Sequence, residues 1–224
     1  LPKTAQPSIG RFVEVYDDLG KNGDSVISIQ MMRSISGTVD AARQAADITE
    51  TNVTVVDSDF TSRSMGMIVK EAAKAAQEGK TVEEILQIIE DAKKRTTLYL
   101  TVVNLDNLIK GGRISQLMGM FSNLLNIKLF LQVINGKIEI IQKGRGLKSL
   151  QKKYDEIFEQ MKSAPNGIQE IGIMHAGLSD FNQGNIARVR ELFPDVPLTI
   201  VTTSPIIMSH TGVDAMAITY LENK

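Results

Sequence analysis

The sequence of 224 residues has no cysteine, only two histidines and no excess of charge of either sign. Without cysteine, a disulfide framework and a thiolate metal site are both excluded, and an intracellular setting fits by default. The formal net charge of -1 lacks the basic excess of nucleic-acid binders, so nucleic acid is not expected as a partner. No apolar run approaches the roughly 20 residues that span a bilayer, and no charged and then apolar leader opens the chain. We therefore expect a cytoplasmic protein with no integral membrane segment.

The signatures of three kinds of enzyme site are also missing. There is no Gly-x-Ser-x-Gly elbow for a nucleophilic serine, and two histidines give no pattern of base beside nucleophile. Neither histidine has a second histidine or a carboxylate at a recognised metal-ligand spacing, so no metal is expected. Neither a GxGxxG motif nor a Walker-type loop is present, so the chain is not expected to bind a nucleotide.

The first part of the chain alternates between β and α patterns. The predicted helices cover residues 10–19, 38–48, 62–77 and 81–95. The predicted strands cover residues 25–31, 53–56 and 97–103. Gly20 follows the first helix where a left-handed cap would sit, Gly79 ends the third, and Thr81 with Glu84 forms a capping box. Strands separated by crossover helices predict a mostly parallel sheet.

The pattern changes after residue 104. An Asn135-Gly136 pair between two apolar runs predicts a hairpin. Helices are expected over residues 148–162 and 185–192, with late β-rich runs at IQEIGIMHAG, LTIVTTS, PIIMSH and AMAITYLE. We predict an α/β protein with an N-terminal, mostly parallel domain over residues 1–104. The second domain, residues 105–224, is expected to be mixed or antiparallel α+β.

The opening stretch LPKTAQPSIGRF has no initiator methionine and starts in turn-like sequence. We expect the front of the chain to be truncated, with a first strand of the N-terminal sheet missing.

The stretch Ser-Ile-Ser-Gly-Thr breaks an apolar run and precedes an alanine-rich helical pattern. Ser36 is a candidate N-cap, with Gly37 and Thr38 opening the helix. A strand that ends in a small-residue turn and feeds a helix gathers free N–H groups and the positive helix end, which suits an anion. Taken alone, the pattern favours a plain helix cap.

Four other polar residues are candidate functional residues because of their positions. Thr4 is a turn hydroxyl before the first helix, and His210 lies among apolar residues. Arg113 and Arg145 follow glycines at the ends of elements, where a guanidinium can reach phosphate or carboxylate. Each of these residue types is more often structural or simply solvated than functional.

A set of short motifs nevertheless occurs together, in the order PKTAQPS, SISGT, VVDS, LIKGGRIS, LLNIK, KGRGLK and SHTG. With these motifs the chain resembles the DegV family, bacterial fatty-acid-binding proteins that serve as the acyl-carrying subunit of fatty acid kinase. The resemblance covers the chain apart from the family's first strand and the segment after it. It implies two domains with a lipid site between them, where polar groups hold the carboxylate and an apolar tunnel holds the chain.

The resemblance also assigns the residues around the carboxylate. Thr4 and Ser36 match the family's carboxylate ligands, and Gly37 lies beside Ser36 in the same turn. His210 and Thr211 match the family's late head-group contact.

Arg113 and Arg145 match arginines that the family links to the head-group end and to docking of the kinase. The resemblance therefore implies a palmitate- or oleate-like ligand, an ATP-dependent fatty acid kinase as partner, no cofactor and no catalysis by the chain itself.

The chain departs from the family's pattern around the head group. Ala5 replaces a serine, Met32 and Arg33 replace a serine pair, and Asp214 lies where the family has glycine. We expect the head-group contacts to differ here, with the Arg33 guanidinium added on that side.

Apolar lining for the acyl chain is expected from the dense run MGMFSNLLNIKLFLQVI. The candidates are Phe121, Leu124, Leu125, Ile127 and Phe130.

Two other functions stay open at this point. Ser36 or Thr4 with His210 could serve a hydrolase or acyltransferase. A regulatory lipid sensor would bind the acid without supporting acyl-phosphate formation.

Overall fold

The protein is described by a computed structural model that covers residues 2–113 and 126–224. The helices are α1 (Ile9–Gly20), α2 (Thr38–Ala46), α3 (Ser62–Gln77), α4 (Val82–Arg95), α5 (Asp106–Gly111), α6 (Leu147–Lys162), α7 (Asp180–Leu192) and α8 (Pro205–Thr211). The strands are β1 (Val26–Gln30), β2 (Val53–Asp57), β3 (Thr96–Val102), β4 (Ile127–Ile134), β5 (Lys137–Arg145), β6 (Ile168–His175), β7 (Leu198–Thr202) and β8 (Met216–Glu222). None of the described helices is long and apolar enough to cross a membrane.

Two sheets organise these elements, which confirms the predicted α/β fold class. β1 and β2 form a two-stranded parallel sheet in which Ser28 pairs with Val55. The other sheet has six strands in the order β5-β4-β3-β8-β6-β7. It is mixed, because β6 and β7 are parallel whereas β3 is antiparallel to both β4 and β8.

Several local sequence signals are confirmed in detail. The Thr81 N–H donates to Glu84 Oε2 at 2.8 Å and the Glu84 N–H donates to Thr81 Oγ1 at 3.3 Å, which is the reciprocal capping box. Asn135 and Gly136 have φ values of 49° and 70°, as a tight hairpin turn between β4 and β5 requires. Gly79, just past α3, has a φ of 76°, and glycine adopts that conformation without steric cost.

The assignment of the third strand to the N-terminal parallel sheet is wrong. β3 pairs with β4 and β8 in the six-stranded sheet, because its side chains, most of them buried, lie between two neighbouring strands. The smaller compact unit comprises Thr4–Lys94 with the hairpin tip Asn135–Lys137, and the larger unit holds most of the described residues from Arg95 onward. This division falls upstream of the boundary that we placed near residue 104.

Two further local expectations are also wrong. The run PIIMSH is the helix α8, because Ser204 accepts a hydrogen bond from the Ile207 N–H and Pro205 occupies the first turn. Both features start helices efficiently. Gly20 lies inside α1 rather than in a left-handed cap. A Cβ there would lie 2.2 Å from Thr51 Cγ2, so close approach explains the glycine.

The six-stranded sheet is buried on both faces around β4. Side chains alternate between the faces of a strand, and Phe130 joins one core cluster while Leu129 and Leu131 join another. The first cluster contains the aromatic rings of Phe130 and Tyr154, whose centroids are 4.9 Å apart in an edge-to-face arrangement. The second cluster adds Leu105 and Leu108 from the segment around α5.

In the smaller unit, α2 packs against α1 and both strands. Its buried face is made of Val39 and of alanines that are at most 1% exposed. Small side chains let a helix approach its neighbours closely, so the position of the α2 N-terminus is fixed by packing.

The core tyrosines predict how stability depends on alkaline pH. Burial, with a contribution from nearby Tyr220, raises the pKa of Tyr99 to about 12. Burial also raises the pKa of Tyr154, which shares a 2.8 Å hydrogen bond with Thr101 Oγ1. Above the ordinary tyrosine pKa the unfolded chain loses protons that the folded chain keeps, so the contribution of these tyrosines to stability is constant below about pH 10 and falls above it.

We expect urea unfolding to show this loss between about pH 10 and pH 12, with up to about 1.4 kcal/mol per pH unit from each tyrosine. Tyr154→Phe should be about 1 kcal/mol less stable at pH 7, because it loses a buried hydrogen bond. Its stability should fall less steeply with pH than that of the wild type. Equal slopes in the two proteins would contradict the assignment, since lysine titration is common to both.

Candidate functional site

The turn between β1 and α2 presents hydroxyl and N–H groups at a helix start. The Ser36 hydroxyl accepts a hydrogen bond from the Thr38 N–H at 3.2 Å and lies 2.7 Å from Thr38 Oγ1. The prediction that Ser36 is the N-cap is wrong, because Gly37 holds that position and its carbonyl accepts the first helical hydrogen bond from Ala41. Because glycine has no side chain, the N-cap residue itself supplies no side-chain hydrogen bond to the helix start. The first N–H groups of α2 therefore depend on the turn or on a ligand for partners.

A charged cluster lies in the first turn of the same helix. The Asp40 carboxylate is 3.0 Å from Arg33 Nε and 3.7 Å from Arg43 Nη1. The backbone N–H of Arg33 also donates to Asp57 at 3.2 Å. Asp40 alone would repel an anion at the helix start, and the two guanidinium groups offset its charge. Arg33, the departure noted in the sequence, is thus ion-paired with Asp40.

The segment before α1 contacts this turn. Thr4 is half-buried in that segment. A Cβ on Gly37 would lie 2.2 Å from Gln6 Oε1, so the Gln6 amide rests directly against the glycine. Gln6 is a residue that sequence reasoning missed, although it belongs to the PKTAQPS motif. Residue type gave no signal, since an exposed glutamine in a loop is ordinary.

The larger unit brings His210 and Arg113 together. Arg113 follows α5 and its Nη1 donates to the carbonyl of Gly111 at 2.7 Å. Burial and the nearby Arg113 charge lower the pKa of His210. At pH 7 the imidazole is therefore neutral, with one ring nitrogen as donor and the other as acceptor. A neutral imidazole beside a guanidinium can hydrogen-bond to a carboxylate while the arginine supplies the charge.

The other two head-group candidates of this unit lie in different settings. Thr211 is buried at the end of α8 and its hydroxyl donates to the Ile207 carbonyl at 3.1 Å. A hydroxyl has one hydrogen, so in this conformation Thr211 can only accept from a further partner. Arg145 is exposed at the end of β5, directly before the Gly146 N-cap of α6.

The departures from the family's pattern are mostly structural. Met32 is 1% exposed, and its N–H donates to the Phe60 carbonyl at 2.8 Å. Ala5 is exposed. Asp214 has a φ of 61° and its carbonyl accepts from Asn182 at 3.2 Å. Met32 therefore fills the core of the smaller unit, while Asp214 closes a turn.

The candidates for acyl-chain lining are only partly described. Phe121, Leu124 and Leu125 lie outside the described residues. Ile127 and Phe130 are separated by three positions on β4, so they project from opposite faces of the sheet. Phe130 is fully buried in the first core cluster, whereas Ile127 packs against the second. One apolar surface of the sheet cannot include both side chains.

The described part of the chain contains no set of side chains arranged to bind a metal ion. No group of three or more histidine, aspartate or glutamate side chains there lies close enough to hold an ion. At the turn, the Asp40 carboxylate is already paired with two guanidinium groups, and this charge balance does not suit a cation.

The sequence was compared with protein families and with known proteins. Residues 1–223 match the family model described as "Uncharacterised protein, DegV family". A DegV domain-containing protein of Streptococcus pneumoniae is 42% identical over 97% of this chain and 77% of its own length.

Two solved structures show the fold. The structure of DegV, a fatty acid binding protein from Bacillus subtilis, has a TM-score of 0.87 at 28% identity and covers 99% of this chain and 79% of that one. The Streptococcus pneumoniae Fatty Acid Kinase (Fak) B3 protein, loaded with linoleic acid, has a TM-score of 0.81 at 25% identity. Its match covers 99% of this chain and 78% of that one.

The family model spans nearly the whole chain, and a solved structure of a DegV protein shares its fold. The chain belongs to the DegV family.

Proposed function

We propose that this protein binds a long-chain fatty acid and presents its carboxylate to a separate, ATP-dependent kinase that forms an acyl phosphate. The chain itself holds the lipid and does not catalyse the transfer. The observation that carries the proposal is the likeness, over 99% of the chain, to a Bacillus subtilis protein described as binding fatty acids. The turn at Ser36 supports it, because it offers the donors that a carboxylate needs.

The free energy of binding comes mainly from the acyl chain. At about 0.8 kcal/mol per buried CH₂, a chain with about fifteen methylenes supplies on the order of 12 kcal/mol of transfer free energy. A carboxylate taken out of water costs several kcal/mol unless it is hydrogen-bonded. The polar end therefore fixes orientation and offsets its own desolvation.

The proposed carboxylate ligands are the residues that the family resemblance assigns to that role. Thr4, Ser36 and Gly37 provide hydroxyl and N–H donors at the α2 start, where the helix dipole favours an anion. His210 donates from its neutral ring. Thr211 contributes as a donor only after its hydroxyl leaves the Ile207 carbonyl.

The acyl chain is proposed to lie along the sheet face that carries Ile127. That face ends in a partly buried apolar side chain, whereas Phe130 on the other face is already enclosed by Tyr99 and Tyr154. An acyl chain at Phe130 would have to displace close-packed aromatic rings, which costs more than filling a less packed surface.

The kinase partner is inferred from the likeness to the Fatty Acid Kinase (Fak) B3 protein. Arg113 and Arg145 are proposed to act on the head-group side or in docking of the kinase. Arg145 is exposed and lies between glycines at a strand end, so its guanidinium can reach an acidic or phosphorylated partner group.

The hydrolase alternative gains no support from the turn. A nucleophilic serine is hydrogen-bonded to its general base. The Ser36 hydroxyl is instead hydrogen-bonded to Thr38, through both its N–H and its hydroxyl.

Replacing Ser36 should weaken binding of the acid while leaving the tail contacts intact. Ser36→Ala removes a hydroxyl that bonds to a charged group, so we expect a loss of ~1 to 3 kcal/mol, which is roughly a 5- to 150-fold higher Kd for oleate. Isothermal titration calorimetry measures this change. Ser34→Ala, an exposed serine of the same loop, is the matched control and should bind like the wild type. Equal affinities for the Ser36→Ala and Ser34→Ala proteins would remove Ser36 from the site.

Reconstitution with a kinase tests the carrier role. The protein loaded with oleate should support ATP-dependent formation of oleoyl phosphate by a purified bacterial fatty acid kinase, detected as the hydroxamate after trapping with hydroxylamine. The loaded protein without kinase should give none, and it should not hydrolyse p-nitrophenyl esters. Acid that binds but is never phosphorylated would favour the lipid-sensor alternative. Ester turnover that disappears in His210→Ala would favour the hydrolase.

A further inference from the structure

The orientation of His210 is set by another helix of the larger unit. α5 packs against α8, which carries His210 near its end. Two residues of α5, Asn107 and Gly111, are separated by four positions and so lie on one face of the helix. Both of them meet the end of α8.

Asn107 holds the backbone next to His210. Its side-chain amide donates to the Ser209 carbonyl at 3.2 Å and to the Met208 carbonyl at 3.4 Å. The Met208 carbonyl also accepts from the Gly212 N–H at 2.9 Å. The Asn107 amide, which has two hydrogens, is therefore a second donor to that carbonyl and a side-chain cap for the Ser209 carbonyl at the helix end.

Gly111 leaves room for the imidazole ring. A Cβ at this position would lie 2.5 Å from His210 Nδ1 and 3.4 Å from both Cγ and Cε1. The Nδ1 edge of the ring therefore faces the glycine, and the edge that carries Nε2 is turned away from it. Any side chain at residue 111 would push the ring out of this position.

Arg113 belongs to the same arrangement. Its guanidinium is tied to the Gly111 carbonyl at 2.7 Å, and its charge contributes to the lowered pKa of His210. The short segment from Asn107 to Arg113 thus fixes the backbone, the ring position and the electrostatic environment of one histidine.

We propose that Asn107 and Gly111 are positioning residues that aim Nε2 of His210 at the fatty-acid carboxylate. The inference rests on the proposed function, since it assigns a geometric basis to one of its ligands. Neither residue touches the acid, and both act through the histidine.

The test compares ligand-free imidazole spectra with oleate affinity in matched variants. Gly111→Ala adds a methyl group against Nδ1, and Asn107→Ala removes both donors without adding charge. Two variants serve as controls. In Gly184→Ala the added Cβ meets nothing within 4 Å. Asn223→Ala loses a hydrogen bond from its side-chain amide to the Asn166 carbonyl. The sequence has only two histidines, so His210→Gln assigns the ring ¹⁵N signals.

We expect Gly111→Ala and Asn107→Ala to shift the His210 ring signals without ligand, to raise its apparent pKa towards the ordinary value and to weaken oleate binding about tenfold. The controls should match the wild type in all three respects. Unchanged His210 signals in both variants would overturn the positioning role, as would shifted signals with unchanged affinity. A wild-type protein that binds no oleate would instead contradict the proposed function, while the ring signals would still report on positioning.

Discussion

A carboxylate joined to a buried acyl chain must keep its hydrogen bonds when it leaves water. The tail supplies the free energy of binding, but an unpaired charge would cancel several kcal/mol of it. The role that we propose for the smaller unit follows from this constraint. Tight packing of the alanine-rich face of α2 fixes the helix, and the turn from Ser36 to Thr38 then presents donors at its positive end.

The charges near this turn show how the fold accommodates the departure from the family's pattern at residue 33. Asp40 places a negative charge in the first turn of α2, where an incoming carboxylate would be repelled. Arg33 and Arg43 flank it, and the Arg33 pairing is the closer at 3.0 Å. The guanidinium at residue 33 therefore compensates a charge of the chain itself. Met32, beside it, is buried, and its N–H donates to the Phe60 carbonyl.

Sequence reasoning succeeded where the signal is local. The Thr81 capping box and the Asn135-Gly136 turn depend on a few adjacent residues, and both are present as predicted. It failed where partners are distant along the chain. Nothing within Thr97 to Val103 says whether the strand pairs with β2 or with β8, because both choices bury an apolar run.

The same limit applies to the candidate site. The motifs predict Ser36 and His210 as site residues, but the N-cap of α2 is Gly37 and not Ser36, because the Gly37 carbonyl accepts the first helical hydrogen bond. Side chains alternate between the two faces of a β-strand, and this alone places Ile127 and Phe130 on opposite faces of the sheet. Sequence motifs could not single out Asn107 or Gln6. Asn107 is notable for its contact with Ser209 and Gln6 for its contact with Gly37, and both contacts form only in the folded chain.

The central claim is that this chain holds a fatty acid. Native mass spectrometry of the protein purified from a bacterial host tests it most directly. The account predicts a complex heavier than the bare chain by one long-chain fatty acid, released on denaturation and identified as a C16 or C18 acid. Protein that carries no lipid, and that also fails to take up added palmitate or oleate, would contradict it.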